Sequence, residues 1–344
     1  MLYDLDGIPR NPSSITFYGR EARDKISSAR RDIAAYLGVL PEEVIFTSGG
    51  TESTQMLIHG FYKKNPGPII GSAIDHACVT ETLKQYNTIY LKIDERGAPQ
   101  ISDIEDLLSK AKPSFIILSG ANTETGIMLE LEEVAELCER NNVPLIIDGV
   151  GLLGKTNFTP LPKGISAIFF SGHKCHGPKG IGIAVIRKKY KIPPLLVGGH
   201  QERGMRAGTE NLPGILGLAK AIQMIDPNCF PKMQDLRDHF EALLFEKFPN
   251  FTINGLGKRL PNTSNIYFEG IDAETLLMNL DQKGVIASLG SACSAGALEP
   301  SHVLLGMGYP QKRALSSLRF SLSRFTTLDE IERAAAIITK LCEK

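Results

Sequence analysis

The chain has 344 residues, of which 42% are hydrophobic and 22% are charged, a balance that is typical of a folded globular protein and excludes a disordered one. Lysine plus arginine equals aspartate plus glutamate, at 38 each, so the net charge gives no long-range attraction to nucleic acid or to an anionic membrane. Neither a signal peptide nor an apolar run of the roughly 20 residues that span a bilayer is evident. The six cysteines form no CxxC pair, which predicts free thiols, no metal site and a cytoplasmic protein.

Short apolar runs alternate with amphipathic stretches over the first two-thirds of the chain. The runs predict strands at residues 44–46, 68–70, 88–90, 115–118, 144–147, 167–170 and 181–186, with helices at 51–61 and 129–138. Strands that alternate with helices indicate an α/β fold with a largely parallel sheet that is covered on both faces. We therefore expect ligands at the carboxyl ends of these strands.

The pattern changes after the segment DPNCFP (226–231). A helix is predicted at residues 233–247, and a second set of elements ends in a helix at 328–342. This change predicts a large domain over residues 10–228 and a smaller α+β domain over residues 229–344, which residues 1–9 join.

The segment FTSGGTES (46–53) runs from a strand through two glycines into a helix. Glycines allow the backbone to approach a ligand closely, and the free N–H groups of a helix start favour an anion, to which Thr51 adds a hydroxyl. The same pattern is more often a simple helix cap, with Thr51 or Glu52 in the first turn. The segment alone therefore leaves both interpretations open.

Two further strand ends carry polar groups. Asp148, in IDG (147–149), directly follows an apolar strand. It is interpreted either as a cap or turn aspartate or as a carboxylate that is held in a partly dry site to pair with a cation. The segment FFSGHKCHGPKG (169–180) places Lys174 after a fully apolar strand. In a confined, partly desolvated site such an amine forms a Schiff base. Pyridoxal phosphate needs this lysine, a carboxylate for its pyridinium nitrogen and donors for its phosphate.

Seven segments occur in the order of the signature blocks of a known family. They are NPSSI (11–15), GREAR (19–23), FTSGGTE (46–52), SGHK (171–174), QERGMRAGT (201–209), GSAC (290–293) and RFSL (319–322). With these blocks the chain resembles the cysteine desulfurases, which are pyridoxal-phosphate enzymes of the aminotransferase class-V fold. The resemblance implies fold type I, with a mostly parallel seven-stranded sheet between helices and a smaller α+β C-terminal domain.

The resemblance also implies an activity and its cofactor. The enzyme converts L-cysteine to L-alanine and transfers the sulfur to an enzyme cysteine, for iron–sulfur cluster or thio-cofactor biosynthesis. Lys174 forms the Schiff base with pyridoxal 5'-phosphate and later moves protons, and Asp148 pairs with the pyridinium nitrogen. His76, from IDHA (74–77), stacks on the cofactor ring and takes part in proton transfer.

Phosphate and substrate contacts follow from the same blocks. The residues implied to hold the phosphate are Gly50, Thr51, Ser171, His173 and, from the other subunit of a homodimer, Thr209. Arg319 matches the arginine that grips the substrate carboxylate bidentately, and Thr123 lies beside it. A sulfur-acceptor protein is expected as a further partner.

Cys293 lies in SLGSACSAGAL (288–298), a small-residue stretch without helical or strand periodicity. Such a loop is expected to bring its thiol to a cofactor-bound substrate and to deliver the product elsewhere. Attack of the thiolate on the substrate sulfur yields a Cys293 persulfide and leaves alanine. A lone cysteine is more often an inert core residue, and only the matching block reverses that interpretation. Cys175 is next to Lys174, but it is still interpreted as an inert core residue.

Four positions depart from the family pattern. The stretch before Asn11 is short, and His200 replaces the last glycine of a glycine run. Thr123 stands in place of an asparagine beside the ring, and Gly151 in place of a glutamine that donates to the cofactor's phenolic oxygen. Each lost hydrogen bond to a charged group is worth about 1.5–3 kcal/mol, so slower turnover is expected unless other groups compensate.

Two other functions fit the same sequence. One is a related pyridoxal-phosphate lyase that acts on selenocysteine or another β-substituted alanine. The other is a catalytically weakened relative that binds the cofactor and serves as a scaffold. The presence of Lys174, Cys293 and Arg319 favours the enzyme, whereas the short start and Gly151 favour the scaffold.

Overall fold

The structure, a computed structural model, describes residues 7–8, 10–290 and 299–343. The strands are β1 (Val44–Thr47), β2 (Ile69–Ser72), β3 (Thr88–Leu91), β4 (Phe115–Ser119), β5 (Leu145–Asp148), β6 (Ile165–Ser171), β7 (Gly182–Ile186), β8 (Thr252–Ile253), β9 (Thr263–Tyr267) and β10 (Ser317–Ser321). The helices are α1 (Phe17–Leu37), α2 (Gly50–Lys64), α3 (Ala77–Leu83), α4 (Ile101–Lys110), α5 (Leu131–Arg140), α6 (Leu212–Gln223), α7 (Cys229–Lys247), α8 (Ala273–Gln282), α9 (His302–Gly306), α10 (Gln311–Leu315) and α11 (Leu328–Cys342).

A seven-stranded sheet with the order β1-β7-β6-β5-β4-β2-β3 forms the centre of the fold. Strands β3, β2, β4, β5 and β6 pair in parallel, whereas β7 is antiparallel to both β6 and β1. Strand β1 therefore runs in the same direction as the parallel strands. The prediction of a mostly parallel α/β sheet of fold type I is confirmed.

The continuous apolar runs of the central strands arise because both faces of the sheet are covered. In β5, Leu145 and Ile147 pack in one hydrophobic cluster, while Ile146 between them packs in the other. Strand β6 repeats this alternation, with Phe169 on the face of Ile146 and Phe170 on the opposite face. Successive strand residues point to opposite faces, so a strand that is buried on both sides needs an apolar residue at every position.

A second, three-stranded antiparallel sheet, with the order β10-β9-β8, follows later in the chain. Its apolar side packs with α7, α8 and α11 around a separate hydrophobic cluster that includes Phe240, Phe268 and Phe320. Leu260, Val303, Leu304 and Met307 pack instead in the core of the large sheet. The domain division at residues 228 and 229 stays a prediction.

No helix in the described part of the chain combines the length and the apolar character that crossing a membrane requires.

Candidate active site

The carboxyl ends of the parallel strands and of β1 lie at one edge of the large sheet, where they surround a cavity of about 530 Å³. Side chains that follow β1, β2, β4, β5 and β6 line this cavity, together with one from β10. The predicted site residues that it brings together are Gly50, Thr51, His76, Thr123, Asp148, Ser171, His173, Lys174 and Arg319. The cavity therefore lies at the edge of the sheet where a ligand site is expected.

The start of helix α2 faces the cavity without a side-chain cap. Gly49 occupies the cap position, and no side chain accepts a hydrogen bond from the first turn. Glu52 does not cap the helix, because its carboxylate accepts from the backbone N–H of Ser48 at 2.9 Å and pairs with Arg206 at 2.9 Å. Thr51 and Glu52 do lie in the first turn, as the cap interpretation expects, but no side chain caps the helix start. The first N–H groups of a helix without a cap are suited to an anion.

Gly182 of β7 allows the glycine turn to approach the sheet. A β-carbon at Gly182 would lie 2.7 Å from the Cα of Gly49, which is closer than side-chain carbons approach backbone atoms. Ser171, at the end of β6, lies on the same side of the turn, with its Oγ 3.0 Å from Nδ1 of His173. A hydroxyl, an imidazole and the helix start therefore meet at one end of the cavity.

Asp148 ends β5 and is only 6% exposed. Its Oδ1 accepts the backbone N–H of Val150 at 2.9 Å. Burial raises the pKa of this carboxyl to about 6, although the Val150 bond and the positive charges of Lys155 and Lys174 act in the opposite direction. A cation placed next to Asp148 would relieve this cost of burial, so the residue is suited to pair with a positively charged ring nitrogen.

Lys174 lies in a 3₁₀ turn, Gly172–Cys175, that directly follows β6. Its side chain lines the cavity, but it is exposed in the single chain. The expectation of a partly desolvated lysine is therefore wrong for one chain by itself. The reason is that the apolar strand ends at Ser171 and the turn carries the lysine out to the mouth of the cavity, where no other element of the described chain covers it.

Thr209 does not line this cavity. It is exposed and borders a separate recess of about 120 Å³, together with Phe46, Glu202 and Arg206. The turn before it contains two non-glycine residues with positive φ, Glu202 at 46° and Arg203 at 58°. Such conformations are costly, and here the carboxylate of Glu202 holds the turn through the backbone N–H of Phe46 at 2.9 Å.

Arg319 of β10 reaches the cavity from the small sheet. Its Nη1 donates to the backbone carbonyl of Thr123 at 3.0 Å. Thr123 therefore contributes through its main chain to the orientation of the guanidinium. The neighbouring Asn122 is buried and fully engaged in the loop, because its Nδ2 donates to Ile74 O at 2.9 Å and its Oδ1 accepts the N–H of Glu124 at 2.9 Å.

Gly151 does not line the cavity, and the chain around it leaves no room for a larger residue. A β-carbon at this position would lie 2.7 Å from the carbonyl oxygen of Ala121. A glutamine at Gly151 would therefore require a backbone shift. At Gly151, where the family pattern predicts a glutamine, the backbone therefore lies close to the backbone of Ala121.

Asp75 is a cavity residue that the sequence reasoning missed. It is 3% exposed, its Oδ1 accepts the N–H of Ser119 at 3.2 Å, and its Oδ2 has no hydrogen-bond partner among the described residues. Burial raises the pKa of Asp75 to about 7, the Ser119 bond acts in the opposite direction, and the negative charge of Asp148 raises it further. The only available signal was its position, directly before His76 and just after β2.

Glu124 was missed as well, although it follows Thr123 in the chain. It is 3% exposed, burial raises its pKa, and its Oε1 accepts a hydrogen bond from the hydroxyl of Ser301. Ser301 caps helix α9 by accepting from the N–H of Leu304 at 3.1 Å. A buried carboxylate therefore fixes the segment that begins after residue 298 to the edge of the cavity.

Cys293 lies outside the described residues. The chain just before it does reach the cavity: Ser288 exchanges two backbone hydrogen bonds with Arg319, at 3.0 and 2.8 Å. A β-carbon at Gly290 would lie 3.7 Å from Oε1 of Glu124. The segments on both sides of residues 291–298 are therefore held beside Glu124 and Arg319.

Two other cysteines lie near the site. Cys175 is buried, its Sγ donates to Gly172 O at 3.2 Å, and burial raises its pKa to about 11, which fits its interpretation as an inert residue. Cys78 lines the cavity, with its Sγ 3.1 Å from Nδ1 of His76, and burial raises its pKa to about 11 as well. Both thiols therefore keep their protons at neutral pH and are poor nucleophiles.

Comparison with known proteins shows similarity along almost the whole chain. The profile of the family described as Aminotransferase class-V matches residues 6–334. A cysteine desulfurase from Nostoc sp. is 38% identical over 345 residues, which cover 97% of this chain and 86% of that protein. A cysteine desulfurase IscS from Dictyoglomus turgidum is 36% identical over 347 residues, which cover 97% of this chain and 88% of that protein.

Solved structures agree with these matches. A structure titled NIFS-LIKE PROTEIN superposes with a TM-score of 0.88 at 31% identity, covering 97% of this chain and 91% of that one. A structure titled SspA in complex with cysteine superposes with a TM-score of 0.79 at 28% identity, covering 94% of each chain. The residues matched by the family profile, 6–334, include those that line the cavity and the segments on both sides of residues 291–298.

Proposed function

The chain belongs to the cysteine desulfurases of the aminotransferase class-V family, and from that premise we propose that it releases sulfur from L-cysteine and transfers it to Cys293. One observation carries the proposal. A single cavity brings together an uncapped helix start, a buried carboxyl, a lysine and an arginine. These groups come from distant parts of the chain, and pyridoxal phosphate with an amino-acid substrate requires all four.

Pyridoxal 5'-phosphate fits the groups that line the cavity. The start of α2, with Gly50 and Thr51, and the Ser171–His173 pair offer donors for a phosphate. Asp148 is a buried carboxyl that gains from a nearby cation, and the Lys174 amine is available for a Schiff base. When bound, the cofactor supplies an electron sink that weakens bonds at the substrate's α-carbon.

Arg319 binds the substrate, and Lys174 transfers protons. The bond from Arg319 to Thr123 O holds the guanidinium at the cavity wall, where it binds the carboxylate of an amino acid. Lys174, at the mouth of the same cavity, has an amine that takes or returns a proton at the substrate. Glu124, whose carboxyl is bonded to Ser301, borders one side of the same cavity.

That side of the cavity supports Cys293 as the sulfur acceptor. Ser288 is paired with Arg319, and Ser301 is bonded to Glu124, so the described residues on both sides of 291–298 are held beside the arginine and the buried carboxyl of Glu124. A thiolate that attacks the substrate sulfur forms a persulfide, while the two electrons of the broken carbon–sulfur bond stay with the alanine fragment. The persulfide sulfur then passes to the thiol of an acceptor protein, in the cytoplasm.

The test is to incubate the purified protein with L-cysteine and an excess of a small thiol that replaces the acceptor. We expect alanine and sulfide in equal amounts, with little sulfide when the thiol is left out, because the sulfur then remains on the enzyme. A higher kcat/KM with L-selenocysteine than with L-cysteine would favour the related lyase. Cofactor binding without alanine from either substrate would favour the scaffold.

A homodimer is part of this proposal. Lys174 and Thr209 are both exposed in the single chain, and Thr209 does not reach the cavity of its own chain. Large apolar side chains near the same segments are exposed too, with Ile15 at 85% and Val197 at 85%. A second copy that covers these residues would bring Thr209 to the partner's phosphate site and would shield Lys174 from water.

Thr209→Ala is therefore expected to weaken cofactor retention by about 1–3 kcal/mol, or roughly 5–150-fold in Kd, through loss of one phosphate contact. Mixed dimers show whether the contact crosses the interface. A dimer of one Thr209→Ala chain and one Lys174→Ala chain keeps one complete site if Thr209 acts on the partner, and none if it acts within its own chain. The absorbance of the Schiff base, followed during titration with the cofactor, measures the affinity of each site. If no site of the mixed dimer binds the cofactor with the wild-type Kd, the shared site is refuted.

A further inference from the structure

The two ring nitrogens of His76 have different surroundings. His76 occupies the cap position of α3, where its Nδ1 accepts the backbone N–H of Cys78 at 3.1 Å. The Sγ of Cys78 lies at 3.1 Å from the same nitrogen. The ring lines the cavity, and its Nε2 has no hydrogen-bond partner among the described residues.

These contacts define where the ring carries its proton. A backbone N–H is always a donor, so Nδ1 must present its lone pair to Cys78. A neutral imidazole carries one proton, which must then be on Nε2. The thiol of Cys78 is consistent with this assignment, because burial keeps it protonated, so it has an S–H that can donate to the lone pair.

A second proton on the ring is disfavoured by the same contacts. It would have to go on Nδ1, where an added N–H would face the N–H of Cys78 and break the cap, a loss of about 1 kcal/mol. His76 is exposed in the single chain, but its partial burial against the cavity wall lowers its pKa, and the nearby Lys174 and His302 lower it further. The carboxyls that border the same cavity have pKa values raised to about 7 for Asp75 and about 6 for Asp148, so the negative charge that remains on them at neutral pH acts in the opposite direction.

We propose that His76 works as a neutral hydrogen-bond donor through Nε2 and does not exchange protons with the substrate, with the backbone N–H of Cys78 as the group that sets this state. A neutral imidazole with the proton on Nε2 has no lone pair there to act as a base, and loss of that proton would leave an imidazolate. A histidine held neutral at a helix start is a known way to polarise a ligand oxygen. Lys174 is then the group that moves protons. The place of His76 in catalysis rests on the proposed function, whereas its protonation state does not.

The first test uses the cofactor-free protein. Nitrogen-15 NMR with labelled histidine, assigned by comparison with a His76→Gln variant, reports which ring nitrogen carries the proton. We expect the unprotonated nitrogen to be Nδ1 at neutral pH, and the ring to stay neutral below the pH at which an exposed histidine is half charged. A proton on Nδ1, or a charged ring at neutral pH, overturns the proposal whether or not the cofactor binds.

Two substitutions at one position separate the backbone donor from the thiol. Cys78→Ala keeps the N–H and removes the thiol, so the proton should stay on Nε2. Cys78→Pro removes the N–H at a position in the first turn that tolerates proline, so the Nδ1–H form should appear and the pKa of His76 should rise. Circular dichroism checks that both variants fold. A shift of the proton in Cys78→Ala, or none in a folded Cys78→Pro, contradicts the assigned donor.

The second test uses the enzyme with its cofactor. Glutamine places a neutral N–H donor near the position of Nε2 and cannot take up a proton, whereas leucine offers neither. We expect His76→Gln to turn over L-cysteine at least about tenfold faster than His76→Leu, and to keep the shape of the wild-type pH profile. Equal loss in both variants, together with loss of one limb of that profile, would show that His76 exchanges protons. Failure of both variants to show cofactor absorbance would instead count against the proposed function.

Discussion

Lys174→Ala is expected to lose the covalent attachment of the cofactor and at least about a thousandfold in turnover. The reason is that the Gly172–Cys175 turn places the Lys174 amine at the cavity mouth, and alanine has no nitrogen with which to form a Schiff base. Borohydride reduction followed by peptide mass spectrometry measures the attachment directly. The wild-type protein should gain the mass of the reduced cofactor on the peptide that contains Lys174, and the variant should gain none.

Lys179 provides the matched control, since it lines the same cavity five residues later in the chain. Lys179→Ala should still acquire the reduced adduct on Lys174, because the cavity keeps the amine that forms it. A reducible adduct that persists in Lys174→Ala, or that maps to Lys179 in the wild-type protein, would show that the wrong lysine has been assigned.

Strand positions and the ligand edge could be predicted from the sequence because they depend on local pattern. Runs such as residues 115–118 and 144–147 are apolar at every position, which occurs where a sheet is buried on both faces, and they form β4 and β5. Parallel strands end at one edge, so polar residues after them meet there. Asp148 and Lys174 come from neighbouring strands and line one cavity for that reason.

Features that depend on distant chain segments could not be predicted in this way. Asp75 and Glu124 are acidic residues in loops, which are usually exposed, and only the folded arrangement shows that both are buried in the cavity wall. The bond from Glu124 to Ser301 joins residues 177 positions apart. No local pattern reports a contact of that range.

Two differences between expectation and structure have physical reasons of their own. A β-carbon at Gly151 would lie 2.7 Å from the Ala121 carbonyl oxygen, so a glutamine at this position would require a backbone shift. Lys174 is exposed because no element of the described part of the chain covers the cavity mouth, although the residues of β6 that precede it are buried. A run of apolar residues predicts that a segment is buried. It does not show whether the covering surface belongs to the same chain or to a second copy.

Cys293→Ser is expected to remove the protein persulfide and at least about a hundredfold of the sulfide release, while cofactor absorbance and its change on addition of L-cysteine remain. A hydroxyl is a poor nucleophile towards sulfur, whereas the groups that bind the cofactor and the substrate carboxylate are unchanged. Mass spectrometry after incubation with L-cysteine should show one extra sulfur on Cys293 in the wild-type protein.

Cys78 is the competing thiol, because it lines the cavity beside His76. Burial raises its pKa to about 11, so only a minute fraction is thiolate at neutral pH, and a persulfide requires the thiolate. Cys78→Ser should therefore still acquire the extra sulfur on Cys293. Sulfur found on Cys78 in the wild-type protein, or on neither residue when the cofactor is fully bound, would contradict the route through Cys293, and the second result would favour the scaffold. The positions of Ser288 and Ser301 beside Arg319 and Glu124 are the structural reason to expect the sulfur on the segment between them.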